Sequence, residues 1–343
     1  MVTHLRKGIL ATGVLVVVLG LLLLSTFRPA PLPAPPPLRE QLPLAEPPAE
    51  MAIFQIPTGI AHRRAGTAYR GGSLWDEREL VMTATLVKHP KGDLLIDTGL
   101  GRHLAEQVDR SAAGLRLHLW ASSYKMTGGP AANQLDAAAY DRTRLRAIVL
   151  THAHWDHVSG IPDFPDTPVW LPSEERRFIE EGGSVTSLTR GLSGVHYEEY
   201  SFEGGEYLGF PKSHDVYGDG SIVIVPAPGH TPGSVIVFLT LPSAKRFALV
   251  GDLVWQIEGL TEREEKPWVS RYVDQDAKLL RESLLRMNAI ATRFPELILV
   301  PAHDARGFAA MPLLSTSNAP QGFENRSSQG RTNRNNPPAK FDE

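Results

Sequence analysis

The stretch THAHWDHVSG, residues 151–160, places three histidines and an aspartate within six positions. It follows the apolar run AIVL, residues 147–150, which predicts a short buried strand because it is rich in β-branched residues and ends at polar ones. The ligand-type side chains would then lie on the loop that leaves the carboxyl end of this strand, where α/β proteins commonly place their sites. Imidazole nitrogens and a carboxylate suit zinc or another first-row divalent metal. A polar loop with coincidental histidines is the alternative, and the density of ligand types disfavours it.

The same stretch resembles the His-x-His-x-Asp-His motif of the metallo-β-lactamase superfamily. Three later positions match the remaining ligands of that family and come in the family's order: His230 in PGHTPGS, Asp252 in VGD and His303 in VPAHD. Asp97 in IDTG resembles the family's early aspartate. The resemblance spans about residues 51–312 and leaves no position of the two-metal pattern empty.

The resemblance implies two divalent metal ions, with zinc expected first and iron or manganese as alternatives. It assigns the ligands as follows: one metal takes His152, His154 and His230, the other takes Asp156, His157 and His303, and Asp252 bridges both. It also implies a nucleophilic hydroxide held between the two metals. Asp156 and Asp252 would then be the catalytic carboxylates, and Asp97 would orient ligand side chains from outside the ligand set.

Several branches of the family fit poorly. Zinc β-lactamases generally lack a bridging carboxylate like Asp252, and the flavodiiron branch has a glutamate where this chain has His154. The loops 218–221 and 228–233 look like those of acyl-homoserine lactonases, but those enzymes carry a tyrosine where this chain has Trp255. We therefore expect hydrolysis of an ester, lactone or related bond, with acyl-homoserine lactonase as one alternative and a non-catalytic, membrane-associated metal-binding module as another.

Three aromatic residues follow the expected bridging aspartate closely in the sequence. Trp255, Trp268 and Tyr272 could line a substrate pocket, and a plain core role is equally compatible with the pattern.

The composition limits the class of partner. The chain has 343 residues, 42% hydrophobic and 21% charged, which is ordinary for a globular enzyme. Its formal net charge of −3 gives no basic field for a nucleic-acid backbone. It contains no cysteine, which excludes disulfides and thiolate chemistry. We expect a small-molecule substrate and no nucleic-acid partner.

The N-terminal region predicts a transmembrane anchor. Residues 8–27 carry no charge and are rich in Leu and Val. This run is long enough for a membrane-spanning helix. Arg6 and Lys7 precede this run, so residues 1–7 would be cytoplasmic and the catalytic domain extracytoplasmic, in the periplasm or outside the cell. A cleaved signal peptide, which would make the protein secreted, is the alternative. The proline-rich segment 28–50 reads as a semi-rigid linker.

Between residues 51 and 312, short β-branched runs alternate with helical patterns. The predicted strands are 81–88, 93–96, 147–150, 169–171, 221–225, 235–241, 247–250 and 297–300. The clearest helix is 274–294, whereas 101–140 gives a mixed, helix-like pattern. Strands with helices between them imply two sheets covered by helices, the αββα (αβ/βα) four-layer α/β sandwich of the family. Residues 313–343 are polar and predict a disordered tail.

Overall fold

The run before the histidine cluster forms strand Leu145–Val149 inside a mixed sheet. The computed structural model describes residues 2–111 and 114–315, and in this part of the chain the strands form one seven-stranded and one five-stranded sheet. In spatial order the first sheet contains β4 (Tyr124–Met126), β1 (Ala52–Arg64), β2 (Glu77–Lys88), β3 (Asp93–Ile96), β5 (Leu145–Val149), β6 (Val169–Leu171) and β7 (Tyr197–Glu199). The second contains β12 (Ile298–Pro301), β11 (Arg246–Gly251), β10 (Val235–Thr240), β9 (Ile222–Pro226) and β8 (His214–Asp215).

The helices lie before, between and after these strands. They are α1 (Val2–Ser25), α2 (Ala65–Ala68), α3 (Leu104–Arg110), α4 (Leu115–Ala121), α5 (Ala131–Ala137), α6 (Trp155–Val158), α7 (Ser173–Glu181), α8 (Ser187–Arg190), α9 (Ile257–Thr261), α10 (Ala277–Arg293) and α11 (Ala305–Phe308). Short 3-10 turns cover Arg142–Arg144, Ile161–Asp163 and Trp268–Val273.

The two sheets pack face to face, and their inner faces form one core. That core joins side chains such as Val87 and Val149 of the first sheet to Ile224 and Val237 of the second. The outer face of each sheet carries its own apolar cluster, which includes helical residues. This gives the layer order helix, sheet, sheet, helix, and the predicted αββα sandwich is correct for the globular part.

Helix α10 shows how the sequence defines an element. Its buried residues Leu280, Leu284 and Met287 repeat with helical spacing and pack on the outer face of the second sheet. The helix begins later than the predicted residue 274, because the side chain of Asp276 accepts hydrogen bonds from Lys278 N and Leu279 N and caps it.

Parallel strand pairs position the candidate site. β3, β5, β6 and β7 pair in parallel in the first sheet, and β11 pairs in parallel with β12 in the second. Their carboxyl ends therefore reach the same edge of the sandwich. The loops that carry residues 97, 151–157, 252 and 303 leave the strands at this edge.

The prediction of a transmembrane anchor at residues 8–27 is wrong, and with it the prediction of a membrane-anchored, extracytoplasmic catalytic domain. Among the described residues, no helix combines the length and apolar character that a bilayer span requires.

The segment expected to act as a linker, 28–50, lies along the domain surface. Leu32, Leu38 and Leu42 pack against the outer cluster of the second sheet. Leu32 N donates to Arg263 O at 2.9 Å, which fixes the start of the segment to the domain. At the other terminus, the backbone of Leu314 hydrogen-bonds β1, and the rest of the predicted tail, residues 316–343, lies outside the described residues.

Candidate metal centre

Asp97 fixes the loop that carries the histidines. It follows β3, the parallel neighbour of β5, and has a left-handed backbone with φ 53°. Its carboxylate accepts hydrogen bonds from Thr151 N at 2.8 Å and Thr151 Oγ1 at 2.7 Å, and lies 2.8 Å from His157 Nδ1. An aspartate tolerates this conformation better than most residues. These contacts join Asp97 to the backbone and hydroxyl of Thr151 and to the ring of His157.

The first three expected ligands of one metal converge in the structure. His152, His154 and His230 are buried, and their nearest ring nitrogens lie within 4.8 Å of one another. His154 Nδ1 and His230 Nε2 are 2.8 Å apart. Although His230 lies on a distant loop before β10, the packing of the two sheets brings it to the loop after β5.

A second group forms beside the first. Asp156 and His157 lie in the short helix α6 and meet His303, again with candidate ligand atoms within 4.8 Å. The distance from His303 Nε2 to Asp156 Oδ2 is 3.5 Å. The one-turn helix directs these two side chains to a different point from that of His152 and His154.

Asp252 lies between the two groups. One oxygen, Oδ2, is 3.4 Å from His230 Nε2, and the other, Oδ1, is 3.4 Å from His157 Nε2 and 3.1 Å from His303 Nε2. The loop after β11 therefore holds a carboxylate whose two oxygens face different histidine sets.

Several buried atoms of the cluster have no hydrogen-bond partner within the described residues. They include Nε2 of His152, His154 and His157 and Oδ1 of Asp252. A buried polar atom without a partner destabilises the fold by about 1–3 kcal/mol. Divalent cations satisfy such nitrogens and oxygens directly, so the donor set fits metal binding.

The electrostatics of the two histidine sets differ. Burial lowers the pKa of His152 and His154 well below the usual value, and nearby histidines add to the effect. Both therefore favour the neutral imidazole that binds metals. Burial also lowers the pKa of His157, but the carboxylates of Asp97 and Asp252 outweigh it and raise that pKa well above the usual value. The carboxylates thus favour a positive charge at this end of the cluster, from protons or from a metal cation.

A buried ion pair, Lys266 with Asp274, contacts the Nδ1 atom of His230. His230 Nδ1 lies 2.7 Å from Asp274 Oδ1, and the ammonium of Lys266 lies 2.5 Å from the same oxygen. Lys266 and Asp274 are both almost fully buried. Sequence reasoning missed both residues: Asp274 was placed in a predicted helix, and Lys266 belongs to no recognisable motif.

Glu175 was also missed. It lies in the charged run of α7 but is fully buried, and its carboxylate accepts from Ala153 N at 2.6 Å, Thr231 Oγ1 at 2.7 Å and Gly233 N at 2.9 Å. Burial raises the pKa of this carboxyl, although these hydrogen bonds oppose the rise. Glu175 therefore ties the histidine loop after β5 to the loop that carries His230.

A cavity of about 620 Å³ opens onto the cluster. Of the three aromatic residues singled out in the sequence, Trp255 and Tyr272 line it, whereas Trp268 is 71% exposed and is not among the lining residues. Trp255 Nε1 donates to Asp252 Oδ2 at 2.9 Å. The apolar part of the wall consists of Leu80, Leu115, Leu117, Trp120, Val185, Val269 and Val273.

Tyr124 also lines the cavity, and its hydroxyl donates to Asp156 Oδ2 at 3.0 Å. The sequence placed it in the mixed, helix-like segment 101–140. The structure instead puts it in β4, because that strand pairs with the distant β1. A pairing partner so far along the chain leaves no local pattern.

We expect Asp97→Asn to weaken metal binding by about 10- to 100-fold, as is typical for a group that orients metal ligands. An amide has one acceptor oxygen. The carboxylate of Asp97 uses both of its oxygens, which accept from Thr151 N and Thr151 Oγ1 and contact His157 Nδ1. Competition with a metal-sensitive chelator dye measures the affinity. Asp93→Asn is the matched control, because this buried carboxylate accepts from Tyr140 outside the cluster. Equal affinity of Asp97→Asn and wild type would show that Asp97 has no orienting role.

The chain is similar in sequence and in structure to known proteins. A family model described as the metallo-beta-lactamase superfamily matches residues 79–303. A Mycobacterium tuberculosis protein named "probable metallo-hydrolase" is 29% identical over 261 residues, covering 72% of this chain and 81% of that protein. An N-acyl homoserine lactonase of Rhizobium radiobacter is 26% identical over 201 residues, covering 57% and 73%. The solved structure of an N-acyl homoserine lactone hydrolase with bound product aligns with a TM-score of 0.60 at 17% identity, covering 76% and 96%.

Proposed function

Because the chain belongs to the metallo-beta-lactamase superfamily, we propose that it is a metal-dependent hydrolase of small esters or lactones. The observation that carries the proposal is the position of Asp252, whose two oxygens face two separate histidine sets. One group would consist of His152, His154 and His230, and the other of Asp156, His157 and His303, with Asp252 shared between them.

Two divalent metal ions bound there, with zinc expected from the imidazole-rich donor set, would acidify a water molecule and polarise the substrate's carbonyl oxygen. The protein residues hold that chemistry in place. Asp97 orients His157, and Asp274 orients His230. Asp156 has a carboxylate at the cavity wall, where it can accept a proton and return it to the leaving oxygen.

The cavity supports a small organic substrate. Its volume of about 620 Å³ lies in the range of small-molecule sites, roughly 300–1,000 Å³. The wall combines aliphatic and aromatic side chains with polar ones, which include Arg63, Ser184 and five residues of the histidine and aspartate cluster. Such a wall suits an apolar acyl group next to a polar, hydrolysable bond.

An N-acyl homoserine lactone is the second candidate substrate. It is favoured by the 26% identity to an enzyme named N-acyl homoserine lactonase and by the apolar cavity wall. Trp255 argues against it, because this residue offers an indole N–H to Asp252 in place of the tyrosine hydroxyl expected of such lactonases.

Turnover by the metal-loaded protein against a panel of aryl esters, alkyl esters, homoserine lactones and phosphoesters tests the proposal. We expect hydrolysis of at least one carbonyl ester or lactone, and loss of that turnover after chelation. Efficient opening of homoserine lactones would make the second candidate the correct one. Metal binding without turnover on any member of the panel would instead identify a non-catalytic metal-binding module.

A further inference from the structure

Tyr124 places a hydroxyl group at the second half of the cluster. Its strand β4 pairs with β1 through Ala61, so the backbone of Tyr124 belongs to the edge of the first sheet. The side chain lines the cavity, and its hydroxyl donates to Asp156 Oδ2 at 3.0 Å. The hydroxyl therefore joins two residues of the cavity lining, Tyr124 and Asp156, and lies against a carboxylate of the cluster.

Aromatic packing holds this ring in position. The ring of Tyr124 meets the ring of Trp120 edge to face at a centroid distance of 5.0 Å and that of Trp155 at 5.7 Å. The guanidinium of Arg63, another residue of the cavity lining, lies 5.7 Å from the ring centroid. Because these contacts involve the ring and not the hydroxyl, a phenylalanine at this position would keep the packing.

The two halves of the cluster have different donors. Trp255 Nε1 donates to Asp252 Oδ2, the oxygen that faces His230. The hydroxyl of Tyr124 is bound to Asp156, in the group that also contains His303. A phenol can both donate and accept, so its proton can turn from Asp156 to a substrate oxygen in the cavity. The N–H of Trp255 instead lies at Asp252, on the side of the cluster that contains His230.

Ester hydrolysis creates charge on two oxygens. The oxygen of water bonds to the carbonyl carbon, the bond from that carbon to the leaving oxygen breaks, and the electron pair stays on the leaving oxygen. A proton derived from the water then neutralises that oxygen. A fixed donor beside the leaving oxygen stabilises the charge before this proton arrives.

We propose that Tyr124 is a substrate-contacting residue whose hydroxyl donates a hydrogen bond to the leaving oxygen of the substrate. The inference rests on the proposed ester or lactone hydrolysis. Asp156 holds the hydroxyl in place before the substrate binds, and the aromatic contacts keep it there as the bond breaks. The tyrosine keeps its own proton throughout.

The test compares wild type and Tyr124→Phe on a series of esters with the same acyl group and leaving groups from 4-nitrophenol to a simple alcohol. A nitrophenolate needs little stabilisation, whereas an alkoxide needs much. We expect kcat on the alkyl ester to fall on the order of 10²-fold, the loss typical of a single oxyanion donor. On the nitrophenyl ester kcat should change little. The metal content of Tyr124→Phe should equal that of wild type.

Tyr140→Phe is the matched control. Its hydroxyl donates to the buried carboxylate of Asp93 at 2.6 Å, a bond of the same kind outside the cavity. We expect this variant to lose stability and keep wild-type kcat across the whole series.

Three results would overturn the role of Tyr124. These are an unchanged kcat on the alkyl ester, an equal loss on every ester, or a loss of activity that follows a loss of bound metal. The last would mean that the hydroxyl only positions Asp156. Wild type without turnover of any ester or lactone would instead contradict the proposed function, so the two failures are distinguishable.

Discussion

Replacement of Asp252 by alanine is expected to lower kcat/KM on the order of 10³-fold or more. The carboxylate faces both histidine sets, at 3.4 Å from His230 Nε2 and 3.1 Å from His303 Nε2, so its loss disturbs both proposed metal positions together. A metal centre stabilises charge in the transition state by several kcal/mol, and each 1.36 kcal/mol corresponds to a tenfold change in rate. Steady-state kinetics and elemental analysis on the same sample measure both effects.

Asp163→Ala is the matched control for this variant. Asp163 is a buried carboxylate that accepts from Arg102 N at 2.9 Å, and it belongs to none of the candidate metal groups among the described residues. We expect the control to lose stability but to retain its metals and turnover. An Asp252→Ala protein with both metals and near-full activity would contradict the proposed role of the shared carboxylate.

The second large effect concerns stability. We expect Lys266→Met to lower the free energy of unfolding by about 3–5 kcal/mol, the typical loss when one partner of a buried ion pair is removed. The side chains of Lys266 and Asp274 are 2% and 3% exposed, and Asp274 Oδ2 has no hydrogen-bond partner within the described chain. Methionine keeps the apolar stem, so the loss reports the charge. Urea unfolding measures it.

Two further variants separate charge from packing. Adding Asp274→Asn to Lys266→Met removes the unpaired carboxylate, so part of the lost stability should return. Arg176→Met breaks a pair with Glu180 in which the side chains are 33% and 55% exposed, and should change the free energy of unfolding by less than about 1 kcal/mol. If Lys266→Met is no more destabilising than Arg176→Met, the buried pair contributes nothing to the fold.

The candidate site was predictable where its residues follow regular strands. His152, Asp252 and His303 each follow a strand of a parallel pair, and such pairing carries their strand ends to one edge. His230 follows β9, which runs in the same direction as β11 because both are antiparallel to β10. The resemblance to a known family then suggested which of them belong together. Asp97 was predictable for the same reason, since it follows β3.

Residues that support the site through distant contacts were not predictable. Lys266 and Asp274 lie on an irregular segment before α10, and only the packed structure brings them to His230. Glu175 has the sequence context of a solvent-exposed helix, yet it is buried because three donors from two loops surround it. Contacts that form only when distant segments pack together leave no periodic pattern in the sequence.

The N-terminal region shows the limit of composition as a guide. Proline content alone predicted a linker at 28–50, but Leu32, Leu38 and Leu42 at intervals along it bury against the outer cluster of the second sheet. An extended segment without helix or strand still gains stability when such side chains leave water. The uncharged run at 8–27 predicted a span that the described helix does not provide.

The most direct test of the proposed two-metal centre is a metal titration of chelated protein with turnover measured at each step. The two histidine sets joined by Asp252 predict that the fully loaded protein binds two divalent ions per chain. They also predict that chelation abolishes hydrolysis and that activity returns with the second equivalent of zinc. One ion per chain at saturation, or hydrolysis that persists in the metal-free protein, would contradict the two-metal centre.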